Sequence, residues 1–282
     1  MAPKRKRRRY GDRTHQEKRR GLTLVIGSLT AIAVAGGTAI WSHGPDLDKS
    51  TGCPLTHRAP PAHTILLLDQ TDALPRSEIE YAKALVRNEY YWLPVGGQLT
   101  LRNISGDASD DEDTVVLCRV IDPSEANPLT QNEGMLKRDY ARTAGARLDK
   151  FLNSLSESSE KPKSPILESI VALFRRTDFS SDIKSRRVVV LSDMAQNSDL
   201  RSDYGPSRSN GNPDIDPGIA AEAQGAEIRV HYVRRPQLWF QGPEHRHSWE
   251  VTLGKLTDDV VVGHTLHMGE DPQREVWHEA KR

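Results

Sequence analysis

Two short apolar runs constrain this chain more than any other feature: Ile65 to Leu68 reads ILLL, and Val188 to Leu191 reads VVVL. Side chains of a β-strand alternate between the two faces of a sheet, so a run without polar interruption is apolar on both. Such strands sit at the centre of a parallel sheet that is covered on both sides. Their neighbours in sequence fit that plan. Strand-like segments at Thr64–Leu68, Gln98–Ile104, Thr114–Val120, Val188–Leu191 and Glu227–Val233 are interleaved with helical patterns. The helical patterns fall at Arg76–Trp92, Glu133–Leu155, Ser164–Arg176 and Ile219–Gln224, with a last helix near His245–Leu256 and a last strand around Val260–His264. Strands alternating with helices predict an α/β fold, a mostly parallel Rossmann-like sheet with helices on both faces. The segments QLTLRNI and EIRVHYV alternate apolar with polar residues, as strands nearer the sheet edges do.

The chain of 282 residues with 36% hydrophobic content supports one main core. Residues 63–268 carry it, and residues 269–282 read as a charged tail that packs on nothing. In the segment after Val233, the aromatic residues Trp239, Phe240 and Trp249 are expected to pack that extension onto the sheet.

Ahead of the domain stands a segment of another kind. Residues 1–20 hold ten Lys/Arg against two acids, which leaves 29 bases and 37 acids for the remainder. The next residues, Gly21 to Trp41, carry no charge. A helix of that length spans about 30 Å, the thickness of a bilayer core. With bases on one flank and Trp41 on the other, the positive-inside tendency predicts one transmembrane helix at 21–41 and a basic cytosolic arm at 1–20. Everything after Ser42 then lies outside the cytosol, as in a single-pass protein of a bacterial inner membrane with a periplasmic domain. Residues 42–62, rich in Gly, Pro and Ser, form the tether. A cleaved signal is the competing reading, with Ala33–Ala35 before Gly36 as the cleavage site and Arg19-Arg20 as a twin-arginine look-alike. The arm itself suits the head groups of a lipid bilayer better than nucleic acid, since no aromatic residue is interleaved with its bases beyond Tyr10.

In open parallel sheets, ligands bind at the carboxyl ends of the strands. Asp69, Thr71 and Asp72 follow the first apolar run, Ser192 and Asp193 follow the second, and Ser164 with Pro165 opens a mid-chain helix, where a serine caps well and a proline suits the first turn. Three separate segments thus bring carboxylates and hydroxyls to one end of the sheet.

Asp-x-Thr after the first strand, a hydroxyl residue at a mid-chain helix and Leu191-Ser192-Asp193 after a later strand resemble a von Willebrand factor A-type domain. That family carries a metal-ion-dependent adhesion site of the form Asp-x-Ser-x-Ser, then Thr, then Asp. The resemblance implies a site built by Asp69, Thr71, Ser164 and Asp193, with Asp72, Ser192 and Asn197 as auxiliaries and the loop Asn197–Pro217 as its rim. Ala73 stands where the family has its third hydroxyl. The cofactor implied is Mg²⁺ or another divalent cation, which takes six oxygens and keeps several waters. Its open position would accept an acidic side chain of a protein partner. This implies recognition or assembly and no enzymatic activity.

Other readings stay open from the residues alone. Asp69 and Thr71 can terminate the strand and cap the next helix while Asp193 bonds backbone N–H groups in its own turn, which leaves a metal-free periplasmic scaffold. A haloacid-dehalogenase-like phosphatase also starts from a strand ending in Asp, but its general acid two residues later is here Thr71. The acid-rich loop 106–113 lacks the spacing of an EF-hand, and His245, His247, His264 and His267 read as scattered surface residues rather than a zinc set. Cys53 and Cys118, the only cysteines, either pair across a separation of 65 residues or leave Cys118 as a small buried hydrophobe.

Overall fold

A computed structural model describes residues 47–55, 58–72, 74–104, 114–122, 124, 133–156, 161–204 and 214–263. The basic arm, the charge-free segment 21–41, Ala73, the acid-rich loop 106–113, most of the rim loop beyond Tyr204, His264, His267 and the tail lie outside them. Among the described residues no helix is long and apolar enough to cross a membrane.

Six strands form one sheet in the order β3-β2-β1-β4-β5-β6. They are β1 (His63–Asp69), β2 (Gln98–Ile104), β3 (Val115–Cys118), β4 (Arg186–Ser192), β5 (Ala226–Tyr232) and β6 (Val260–Val262). All pairings are parallel except β2 with β3, where the edge strand runs back so that Cys118 faces Gln98. The two apolar runs are the two central neighbours, in register from Ile65 opposite Val188 to Leu68 opposite Leu191.

Alternation along those runs builds two cores. Ile65, Leu67, Val188 and Val190 face α4 (Ile166–Leu173), α5 (Pro217–Ala223) and α6 (Pro243–Leu253). Leu66, Leu68, Val189 and Leu191 face α1 (Arg76–Trp92) and α3 (Ala146–Ser154). α1 buries Tyr81, Ala82, Leu85, Val86, Glu89 and Tyr90, a helical spacing that lays one stripe on the sheet. Each central leucine is fully buried, so truncating one to alanine costs about 2–5 kcal/mol. Glu89, buried in the same face, is matched by Arg187 at 3.3 Å.

The helical pattern at Glu133–Leu155 is realised as α2 (Glu133–Tyr140), one π-helical turn (Ala141–Gly145) and α3. Two local expectations need correction. Ser164 does not cap α4: Pro165 holds that position, and the residue before a proline is driven to extended backbone. Ser164 instead pairs with Asn197 in an antiparallel bridge, exchanging N–H···O bonds of 2.8 and 3.0 Å. Of the three aromatics after Val233, Trp249 and Phe240 are buried, but Trp239 is 75% exposed.

The tether is built onto the domain from Leu47 onward, where the unit that holds the sheet begins. Asp48 accepts the N–H groups of Ser50 and Thr51, Thr51 accepts the N–H of Cys118, and a disulfide joins Cys53 to Cys118 with Cα atoms 4.7 Å apart. Gly52, at φ +71°, lets this turn run close along β3, because a β-carbon there would meet Val120 at 3.0 Å in a backbone region that other residues avoid.

Candidate functional site

β1 and β4 lie side by side, yet the chain leaves β1 towards β2 and β3 and leaves β4 towards β5 and β6. Connections that diverge from neighbouring strands leave a crevice at the carboxyl ends, the place where open α/β sheets bind ligands. Two small adjoining clefts open there, sharing Thr71, Asp72 and Asp193. Asp69 and Ser192 line one of them, and Ser164 and Asn197 line the other. All seven residues singled out in the sequence therefore meet at this point.

Asp69, the last residue of β1, is almost wholly buried. Its Oδ1 accepts the Thr71 N–H at 3.1 Å and the Thr71 hydroxyl at 2.6 Å, and its Oδ2 accepts the Ser192 hydroxyl at 2.6 Å. The Thr71 and Ser192 oxygens keep lone pairs for a further ligand. Asp193 accepts the Ala195 N–H at 2.9 Å, a bond that its turn alone would require. Burial, reinforced by the neighbouring charges of Asp69 and Asp72, pushes the Asp193 carboxyl up to about 7 against the pull of Ala195 N–H and Arg235. Two carboxylates held close in a poorly hydrated cleft are a setting in which a cation is favourable.

Ser164 supplies the least expected detail. Its Oγ is buried at the cleft without any hydrogen-bond partner, although unsatisfied buried hydroxyls cost about 1–3 kcal/mol. The loop that carries Ser164 is fixed just ahead of it. Lys161 N–H donates to the Thr71 carbonyl at 2.9 Å, and the Asn197 side chain donates to the Pro162 carbonyl at 2.9 Å.

The turn after β4 is strained. Met194 adopts φ 58°, uncommon for any residue with a side chain, while fully buried. The surroundings hold it there. Ser192 Oγ accepts the Met194 N–H at 2.7 Å, and the Met194 carbonyl accepts Trp249 Nε1–H at 3.0 Å and Gln196 N–H at 3.1 Å. The effect is to aim Asp193 into the cleft rather than along the strand.

Sequence reasoning missed several contributors. Arg235 follows β5, reaches Asp193 with Nε at 3.3 Å, and pairs with Glu78 of α1 at 3.0 Å. Burial raises the Glu78 carboxyl above its usual range even though Arg235 opposes it. Gln241 ties the same loop to the site by donating to the carbonyls of Asp193 and Val233 at 2.7 and 3.0 Å. A polar residue just past a strand end was the available signal for Arg235, the same one that identified Asp69 and Asp193. Tyr204 stands on the rim with its phenol raised to about 12 by burial and by the charge of Asp193. His245, expected at the surface, is buried: Nδ1 meets the Tyr232 hydroxyl at 2.7 Å and Nε2 meets Asp203 at 3.1 Å, which locks α6 to the rim loop. His247 is exposed, as a surface histidine should be. Among the described residues, no group of three or more His, Cys, Asp or Glu side chains converges as a metal-ligand cluster, so a cation here would also draw on hydroxyls and water.

No family model matches the chain, and no curated protein matches it. Among solved structures it is similar to the pilus adhesin SpaC from Lactobacillus rhamnosus GG. The open conformation is 11% identical, with a TM-score of 0.36, and the match covers 76% of this chain and 29% of that one. A second form is 10% identical with a TM-score of 0.40, covering 74% and 29%. The chain spans under a third of the length of these structures.

Proposed function

We propose that this chain is a membrane-anchored recognition module that binds an acidic side chain of a protein partner through a divalent cation, Mg²⁺ being the simplest choice. The cation would be held at the carboxyl ends of β1 and β4 by Asp69, Thr71, Ser164 and Asp193, in the manner of the A-type domains that the sequence resembles. The observation that carries this reading is the partnerless Ser164 Oγ, buried at the cleft that Asp193 and Asp72 line and next to the one that Asp69 lines. An ion would satisfy that oxygen and neutralise the mutual repulsion of Asp69 and Asp193, two costs that the ion-free site carries at once.

The residues present fit such an ion in kind: two carboxylates and two hydroxyls, with waters completing six oxygens. When bound, the cation would act as a bridge, a positive charge with one exchangeable position for a partner's carboxylate. Arg235 limits the net negative charge of the cleft, which favours modest affinity and a dependence on the partner. The charge-free segment 21–41 and the basic arm support an inner-membrane anchor with the domain on the periplasmic side.

The test is thermal unfolding of the full chain in detergent, with and without millimolar Mg²⁺ or Mn²⁺. An ion that binds only the folded state at one hundred times its Kd stabilises by about 2.7 kcal/mol. The rise in Tm should vanish in Asp193→Ala and shrink in Ser164→Ala. An unchanged Tm in the parent chain would overturn the cation and leave a metal-free scaffold.

A further inference from the structure

Apart from Met135 on α2 and Val251 on α6, the large apolar side chains exposed among the described residues lie towards two opposite ends of the sheet. Leu200, Tyr204 and Trp239 lie at or beside the cleft, on the loops that follow β4 and β5. Leu55, Tyr91, Trp92 and Val95 lie at the other end, with Leu55 60%, Trp92 49% and Val95 56% exposed. The topology explains the second group. α1 starts beyond the carboxyl end of β1 and delivers its last turn to the amino end of β2, where Gln98 faces Cys118. Pro54 lies against Gly96 in the turn between them, so the stapled tether and the aromatic end of α1 share one edge of the domain.

We propose that this amino-end pole is a membrane-docking surface, seated in the interfacial layer of the bilayer entered by the charge-free segment, with the cleft directed away from it. The inference rests on the anchored topology proposed above.

Chain length is the first argument. Six residue steps separate Trp41 from Leu47, which reach at most about 20 Å when fully extended. An unattached tether would let the domain drift through all its residues up to His63. Instead, the disulfide from Cys53 to Cys118 fixes it to the domain, and the bridge between Leu47 and Pro54 folds its beginning back beside that staple. The pole that carries the staple is thereby confined near the head groups, while the cleft lies a full strand length further out, roughly 23 Å for seven residues.

Chemistry is the second. Tyr and Trp prefer the membrane interface, where the ring is half dehydrated and its polar end stays wet. Tyr91 and Trp92 supply both, with Val95 and Leu55 as apolar neighbours. Arg87 sits one helical turn before Tyr91 on the same face, and Lys49 lies in the stapled turn; both are exposed and suited to lipid phosphate. A patch of this size binds vesicles weakly by itself. Tethering makes the contact intramolecular at an effective concentration in the millimolar range, so weak intrinsic affinity suffices.

The experiment uses the full chain in vesicles of phosphatidylethanolamine and phosphatidylglycerol, prepared with and without brominated acyl chains, which quench nearby indoles. Parent, Trp92→Phe and Trp239→Phe chains are compared after flotation. Above the quenching of Trp41, which all three chains share, the emission removed by Trp92→Phe should be bromine-sensitive, and that removed by Trp239→Phe should be insensitive to bromine. A chain that floats while its Trp92 emission is unaffected by bromine overturns the docking and leaves the anchor standing. A chain that fails to float overturns both. Disulfide-linked pairs of Trp92→Cys chains would assign this pole to a second copy and overturn the proposal as well.

Discussion

Arg235 Nε stands 3.3 Å from Asp193 Oδ2, and the same guanidinium reaches Glu78 at 3.0 Å, so one buried cation serves a buried and a half-buried acid. In the absence of a metal this arginine is the counter-ion of the cleft. Replacing it should therefore move stability and ion binding in opposite directions. Arg235→Gln leaves the buried Asp193 and the half-buried Glu78 without their charge partner and should lower the unfolding free energy of the ion-free chain by about 3 kcal/mol. The same change removes a unit positive charge close to the proposed cation and should tighten Mg²⁺ binding at least tenfold. Calorimetric titration and denaturant unfolding read the two effects separately. Weaker Mg²⁺ binding in Arg235→Gln would mean that Arg235 organises the site rather than competing in it.

Trp249 holds the strained turn from behind. Trp249→Phe removes the 3.0 Å bond to the Met194 carbonyl and leaves space in a fully buried position under Arg201, whose guanidinium lies 5.0 Å from the ring. The expected loss is about 2 kcal/mol in denaturant unfolding, from the hydrogen bond and the cavity together. Because the turn aims Asp193, the Tm response to Mg²⁺ should fall as well. An unchanged response would show that Ser192 and Gln196 fix Met194 without the indole.

Much of this site was legible because strand ends are legible. The unbroken runs at Ile65–Leu68 and Val188–Leu191 announced two-sided burial, and the polar residues behind them, Asp69, Thr71, Ser192 and Asp193, had to emerge at the carboxyl edge. Ser164 reached the cleft by a route that its own sequence did not describe: Pro165 forces it extended, and it then pairs with Asn197, far along the chain. Arg235 was passed over because its meaning lies in Glu78 of α1 and Asp193 after β4, both distant from it along the chain. Trp239 and Phe240 were indistinguishable by composition, since which of two adjacent rings turns inward is decided by the contact of Phe240 with Tyr204 and His245. The reversed direction of β3 had no local signature either.

The staple between Cys53 and Cys118 should contribute to stability mainly through the unfolded chain. Closing a loop across 65 residues restricts that chain by about 4 kcal/mol in the entropy model. Reduction, or Cys53→Ser, should lower the denaturation midpoint accordingly. Cys118→Ser should lower it further, since Cys118 is buried on β3 and a hydroxyl there is exposed to the apolar face. Alkylation of two thiols in the unreduced chain, seen by intact mass, would refute the bridge.

Two buried histidines set the response to acid. His231 donates to or accepts from the Tyr81 hydroxyl at 2.8 Å and is held neutral, with its pKa lowered to about 4 by burial and then by the charge of Arg229. His63, between the Asp178 carbonyl and the Thr100 hydroxyl, is also lowered to about 4, with burial the main cause. In the unfolded chain both titrate near 6.5, so between pH 6.5 and 4 the unfolded state binds more protons than the folded one. Their stabilisation is complete above pH 6.5, declines as pH falls to 4 and is lost below it, about 3 kcal/mol for each residue. Asp193, Glu78 and Glu89, whose carboxyls are raised by burial, work against this decline, so the parent profile is a sum. Subtracting His231→Gln isolates one member, because glutamine keeps a hydrogen bond to Tyr81 and does not titrate. The difference in unfolding free energy between parent and variant should shrink by about 3 kcal/mol from pH 7 to pH 4. A difference that stays constant with pH would mean that His231 takes up its proton in the folded protein at an ordinary pKa, and would overturn this assignment.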